Sequence, residues 1–173
     1  MCDNKNKGKS GEMVLLNIIS SACHVTDKLE ITRPSKTNSA DLGLDMSLSG
    51  PKKEIEKFIN HAIPERTQPK HIENIDENKI VKARIDSKNF ENRITKVEMK
   101  KFVSETAIHS DSTYHLLMGG RGLTKGAQEV INNAAPLLEK QGIEVIHITH
   151  EGIDRLSDNY PPVRPEKKQK KIK

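Results

Sequence analysis

The chain has 173 residues, 34% hydrophobic, 31% charged and only 3% aromatic, which suits one domain and leaves too little apolar material to pack along the whole length. No run approaches the roughly 18 consecutive apolar residues of a membrane span, so an integral helical membrane protein is excluded. The net charge of +5 sits entirely between Val163 and Lys173, where Arg164, Lys167, Lys168, Lys170, Lys171 and Lys173 face one acid, Glu166; such a tail is either a solvated end or a nonspecific grip on phosphates.

Residues 1–11 are Asn, Lys, Gly and Ser around little that can be buried, and they are expected to form a disordered lead-in. From Leu15, the residues Leu15, Ile18, Ile19, Ala22 and Cys23 recur at i, i+3, i+4, i+7 and i+8, one face of an amphipathic helix. A short strand is expected over Leu29 to Thr32, then a Pro/Ser/Asn-rich turn from Pro34 to Ser39. Asp41 to Leu48 alternates, with Leu42, Leu44, Met46 and Leu48 on one side and Asp41, Gly43, Asp45 and Ser47 on the other, which predicts a half-buried strand. Residues 49–78 carry three prolines and many charges, with helical spacing only from Ile55 to Ile63, and read as a surface insertion.

A second alternating strand is predicted from Ile80 to about Lys88, placing Val81, Ala83 and Ile85 opposite Lys82, Arg84, Asp86 and Lys88. Met99, Phe102, Val103, Thr106 and Ala107 mark a helix, and Tyr114 to Met118 an interior strand ended by two glycines. Thr124 is an N-cap for a helix burying Ala127, Val130, Ile131, Ala134 and Leu138, which Pro136 is expected to kink or split. A last strand from Ile143 to Thr149 and a short helix from Gly152 to Leu156 complete the order α-β-β-β-α-β-α-β-α. That order predicts an α/β domain over residues 12–156, a mixed sheet flanked by helices, with a basic tail over 157–173. Cys2 and Cys23 form no disulfide framework, and a reducing, cytoplasmic setting is expected. The run from Met13 to Ala22 before Cys23 is broken by Asn17, preceded by Glu12 and has Ser20 where a lipoprotein signal needs an aliphatic residue.

The constellation with chemical content is Asp45 on one strand with Asp86 and Lys88 on another. Residues i and i+2 of a strand share a face, so Asp86 and Lys88 project together. Beside Asp45, they would gather two carboxylates and an ammonium, a hard-cation site suited to Mg²⁺ with a lysine to orient a water and offset charge on a phosphate. Asp-x-Lys also arises by chance on any polar strand face, and by itself decides nothing.

In that context the sequence resembles the Mrr-type restriction endonuclease family of the PD-(D/E)xK nuclease superfamily, from about Glu12 to Leu156. The carrying elements are the leading helix, the strand Ala40-Asp41-Leu42-Gly43-Leu44-Asp45 for the family's Ala-Asp-Gly-Gly-Val-Asp, and Asp86-Ser87-Lys88 for its Gln/Glu-x-Lys. They continue with Leu123-Thr124-Lys125-Gly126-Ala127 for Phe-Thr-x-x-Ala, and with the closing strand and helix. Leu42 replaces a glycine of the signature, and Asp86 stands where the family has Gln or Glu. The long gap between Asp45 and Asp86 requires an insertion such as residues 49–78. The resemblance implies a restriction-endonuclease-like fold, Mg²⁺ held by Asp45 and Asp86, and Glu12 as either an auxiliary metal-site acid or an ordinary helix-start acid. Lys88 would position or activate the water that hydrolyses DNA.

The glycine-rich Gly119-Gly120-Arg121-Gly122 fits no nucleotide-loop spacing and reads as a loop beside the active site, with Arg121 near a phosphate. His147 and His150 lie on different faces and share no metal, and no nucleophile elbow supports Ser-His-Asp catalysis. The expected activity is Mg²⁺-dependent DNA hydrolysis, with Arg121, Arg164, Lys167, Lys168, Lys170 and Lys171 on nucleic acid. Cutting both strands takes two sites, so a homodimer is an open alternative, and with no separate recognition domain sequence specificity would either come from a protein partner or be absent. The rival readings are a nuclease fold that no longer cuts and serves as a nucleic-acid-binding or protein-interaction module, and an unrelated small α/β adaptor.

Overall fold

The computed structural model describes residues 4–32, 46–66, 76–88 and 91–163, with side chains in the first helix from Met13 onward. The elements are α1 (Asn4–Thr26), β1 (Glu30–Thr32), β2 (Met46–Pro51), α2 (Lys52–Ala62), β3 (Ile80–Ser87) and α3 (Lys96–Glu105). They continue as β4 (Tyr114–Met118), α4 (Lys125–Lys140), β5 (Glu144–Ile148) and α5 (His150–Asn159). The strands form one mixed sheet in chain order, β1-β2-β3-β4-β5. The β1–β2 and β2–β3 pairs are antiparallel, and β3–β4 and β4–β5 are parallel.

Parallel neighbours need crossovers, and the two crossovers step the same way along the sheet, so right-handed connections put α3 and α4 on one face. On that face Leu117 packs with Ile94, Met99, Phe102 and Ala127. The opposite face carries Val81, Ala83, Ile85, Tyr114, Leu116, Met118, Ile146 and Ile148, and buries them under α1, α2 and α5. The period-2 reading of β3 thus sorts its residues correctly between the two faces.

Four sequence expectations are corrected. Residues 49–62 are no surface insertion: Ser49 to Pro51 complete β2, and α2 buries Ile55, Phe58, Ile59 and Ala62 completely in the larger core. Their i, i+3, i+4, i+7 spacing outweighs the surrounding charge, because each fully buried large apolar side chain contributes about 1.5–3 kcal/mol. Residues 67–75, also in that span, lie outside the described residues. The lead-in is helical from Asn4, since a helix nucleated by the packed Leu15–Cys23 face extends toward its N-terminus at small cost. The domain also reaches beyond Leu156. The last helix runs to Asn159, and Tyr160 is buried, stacked on Phe58 at 5.7 Å and hydrogen-bonded to His61 Nδ1 at 3.0 Å. Helix α4 passes through Pro136 as one element.

Candidate active site

Asp86 is the seventh residue of β3 and Lys88 follows its last residue, so both stand at the end where the parallel strands finish. This is where open α/β sheets place ligands. Asp86 is only 2% exposed, and its Oδ1 lies 2.9 Å from Lys88 Nζ. The Lys88 side chain stays 28% exposed, so the pair joins a buried carboxylate to a cation at the solvent rim. Burial pushes the Asp86 carboxyl above its usual value, while Lys88 and Arg84 act against the rise.

The face expected to be polar and open is covered beneath Asp86. Arg84, two residues back on the same face, is wholly buried under α3: its Nη2 is 2.6 Å from Glu105 Oε2 and 3.6 Å from Asp86 Oδ2, and its guanidinium sits 4.9 Å from the centre of the Phe102 ring. Glu105 was missed because the helical spacing favoured Val103 and Ala107. Helix α3 ends at Glu105, which turns inward while Ala107 is exposed. Arg84 carried a signal of its own, since period 2 already aligned it with Asp86. His115, on β4 opposite Arg84, is fully buried, and desolvation with the guanidinium nearby depresses its pKa to about 4.

The backbone around Lys88 is fixed by the loop after β4. The Lys88 amide donates to Met118 O at 2.8 Å, and Gly119, at φ 123°, packs so closely that a Cβ there would stand 1.8 Å from Lys88 O. Only glycine fits. Gly119 O accepts a hydrogen bond from His147 Nε2 at 2.7 Å, which makes His147 a brace for the loop; burial lowers its pKa and this bond acts against the shift. The His150 amide donates to Gly120 O at 3.0 Å, which ties the start of α5 to the same loop. Arg121 is exposed on that loop, and its amide donates to Asn92 O at 3.1 Å.

Of the residues singled out from sequence, the structure brings together Asp86 and Lys88, with Arg121 on the loop that packs against Lys88. Asp41, Asp45, Arg164, Lys167, Lys168, Lys170 and Lys171 lie outside the described residues; Glu12 is in the helical backbone of α1, its side chain outside them. Met46, the residue after Asp45 in sequence, pairs with Ile85, the residue before Asp86. Among the described residues, no three His, Cys, Asp or Glu side chains gather as a metal-binding group, and no helix is long and apolar enough to cross a membrane. Neither a protein-family model nor a curated protein matches the chain.

Proposed function

We propose that this chain is a Mg²⁺-dependent deoxyribonuclease of the restriction-endonuclease-like fold, similar to the Mrr-type enzymes. The observation that carries the reading is the buried Asp86 carboxylate paired at 2.9 Å with the half-exposed Lys88 at the carboxyl end of β3. Its support is the order of elements: a leading helix, two antiparallel pairings, then two parallel crossovers.

The donor chemistry of Asp86 fits a hard divalent cation, which takes carboxylate, carbonyl and water oxygens. Asp45 and Asp86 would hold Mg²⁺, with Glu12 as an auxiliary acid; when bound, the ion supplies positive charge beside the scissile phosphate. Lys88 orients the attacking water and offsets the negative charge that builds on the phosphate oxygens. The Arg84–Glu105 pair under Asp86 keeps the carboxylate in place. Arg121 and the segment Arg164 to Lys171 add contacts to phosphates. Any sequence specificity comes from a protein partner, and a homodimer would supply the two sites that a double-strand cut requires.

Plasmid nicking over a Mg²⁺ titration tests the reading. Lys88→Ala should lower the rate by about 10² to 10³ at every Mg²⁺ concentration, because it removes a group acting on transition-state charge. Asp45→Ala should shift the Mg²⁺ dependence upward, so that excess Mg²⁺ restores part of the activity. A wild-type chain with no metal-dependent cutting of methylated or unmethylated DNA or RNA sinks the hydrolase. A second reading, a nuclease fold that binds without cutting, draws on the existing pairing of Asp86 with two cations, which already neutralises the carboxylate. It predicts binding with no cleavage in that assay.

A further inference from the structure

At the end of the sheet away from Asp86 and Lys88, α2 starts directly from β2, whose last residue, Pro51, pairs with Ile80 at the beginning of β3. The strand from Ile80 to Asp86 spans about 20 Å, so a ligand bound here does not touch the candidate active site. A concavity of about 300 Å³ opens beside the helix, lined by Lys52, Lys53, Lys57, Asn60 and His61. Two acids, Glu56 and Glu77, complete its wall.

Lys52 is the unusual member. It is only 3% exposed, and among the described residues its ammonium is in no ion pair and no hydrogen bond, whereas Arg66, Lys82, Arg84, Lys88 and Arg155 each meet a carboxylate. Lysine is almost never this buried without a partner, because desolvating an ammonium is costly. The acids of the wall do not pair with it: Glu56 is bound by Arg66 at 2.5 Å and by the Tyr114 hydroxyl, and Glu77 stands exposed on the rim. The helix end does not make the site either, since its first two amides, of Lys52 and Lys53, already donate to Lys79 O and Glu77 O at 2.9 Å. Those bonds instead fix where Lys52 stands.

The rest of the lining adds charge and donors. Lys53, Lys57, Asn60 and His61 recur at i, i+4, i+7 and i+8, one stripe of α2. Lys53 and Lys57 are exposed like charges one turn apart, an arrangement that costs helix stability unless an anion offsets it. Asn60 Oδ1 accepts from Arg66 Nη1 at 3.2 Å, which turns its amide nitrogen the other way as a donor, and His61 is anchored through Nδ1 to Tyr160 Oη at 3.0 Å. Three ammonium groups and an amide suit a compact dianion. Lysine serves phosphate as a point charge, while a carboxylate is better matched by the planar fork of arginine; the arginine here, Arg66, is already shared between Glu56 and Glu144. The phosphates of a nucleic acid lie on a convex backbone and reach side chains that project from a surface, which the buried Lys52 does not.

We propose that the pocket at the start of α2 is a binding site for a small ligand carrying a phosphate dianion, either free phosphate or a phosphate monoester, held by Lys52, Lys53 and Lys57. Binding there requires no hydrolysis at Asp86 and Lys88.

Titration calorimetry on the full-length chain, in metal-free buffer at fixed ionic strength and at a pH where phosphate is doubly charged, uses inorganic phosphate, glycerol 3-phosphate and acetate. Wild type should bind a phosphate probe at one saturable site and acetate far more weakly. Lys52→Met keeps an apolar stem in the wall and removes the charge; it should weaken phosphate binding by about tenfold or more, and Lys53→Ala/Lys57→Ala by about threefold to tenfold. A Lys96→Ala/Lys125→Ala chain, altered at the starts of α3 and α4 at the other end of the sheet, should match wild type. Binding of phosphate without the ester assigns the site to the free ion, and the reverse assigns it to a phosphorylated ligand; both uphold the dianion. If Lys52→Met does not melt cooperatively, the double variant, whose two side chains are exposed, decides alone. No saturable binding of either phosphate probe, equal binding of acetate, unchanged affinity in the folded variants, or an equal loss in the Lys96→Ala/Lys125→Ala chain overturns the proposal. Displacement of bound phosphate by a short DNA duplex also overturns it, because the stripe would then be a nucleic-acid surface.

Discussion

The two ends of the sheet each bury a charged cluster, and they are built to different ends. Where β4 and β5 begin, Arg66 bridges Glu56 at 2.5 Å and Glu144 at 2.6 Å, and the Tyr114 hydroxyl donates to Glu56. Arg66 is 6% exposed and Glu56 4%, and burial pushes the Tyr114 hydroxyl far above its usual range. Each member is engaged by another element, so the cluster locks α2 and the segment after it onto the sheet. At the far end, Asp86 is equally buried, yet its closest partner, Lys88, reaches the solvent rim. A closed network fixes a packing arrangement; a buried carboxylate coupled to an accessible cation presents charge to something outside.

Substituting the two cations makes this contrast measurable. Arg66→Ala strands Glu56 and Glu144 in the interior and should cost about 3–5 kcal/mol in denaturant unfolding. Lys88→Ala should cost less, about 1–3 kcal/mol, because the buried Asp86 loses its closest cation but keeps Arg84 at 3.6 Å, while producing the rate loss already described. A Lys88→Ala loss as large as that of Arg66→Ala would make the two clusters equivalent and the Asp86 pair structural.

His115 sharpens the comparison through pH. Its folded pKa of about 4 lies below the ordinary 6.5, so the unfolded chain binds the extra proton between these values. Stability therefore falls as pH drops from about 6.5 to 4, by up to about 3 kcal/mol, and changes little on this account above 6.5. Burial raises the carboxyls of Asp86 and Glu144, which act in the opposite sense at the acid end. The His115→Phe chain isolates the histidine: guanidinium midpoints should converge on or overtake those of wild type as pH falls through this window. Parallel curves would mean that His115 is not held neutral.

Two glycines separate close approach from backbone strain alone. Gly119→Ala adds a Cβ at 1.8 Å from Lys88 O, and should cost at least about 1–3 kcal/mol and displace Lys88, with nicking falling alongside stability. Gly142→Ala, at φ 71° with nothing within 4 Å, should cost about 1 kcal/mol and leave nicking intact. Smallest is Asp111→Asn. It breaks the 2.6 Å pair with Lys82, whose side chains are 63% and 36% exposed, and should move stability by under about 1 kcal/mol. The same protein preparations and the same melts rank all of these.

Periodicity made most of this legible. Tyr114 to Met118 is a strand over the residues its apolar run marks, and the alternation from Ile80 sorts β3 between the faces, because period 2 is a property of extended backbone itself. Helix α1 buries the predicted Leu15, Ile18, Ile19 and Ala22 for the same kind of reason at period 3.6. Composition misled at α2, where a dense field of charge hid four core residues, and at Tyr160, whose burial depends on Phe58 and His61, distant in the chain. Asp86 and Lys88 were legible as neighbours from their spacing alone. What covers and braces them was not: Glu105 reaches Arg84 from another element, and Gly119 meets Lys88 only because β4 lies parallel to β3. Local sequence determines which residues share a face, since that follows from backbone geometry. Which charges are desolvated, neutralised or left open depends on contacts between segments far apart in the chain, and only the packed tertiary structure decides those.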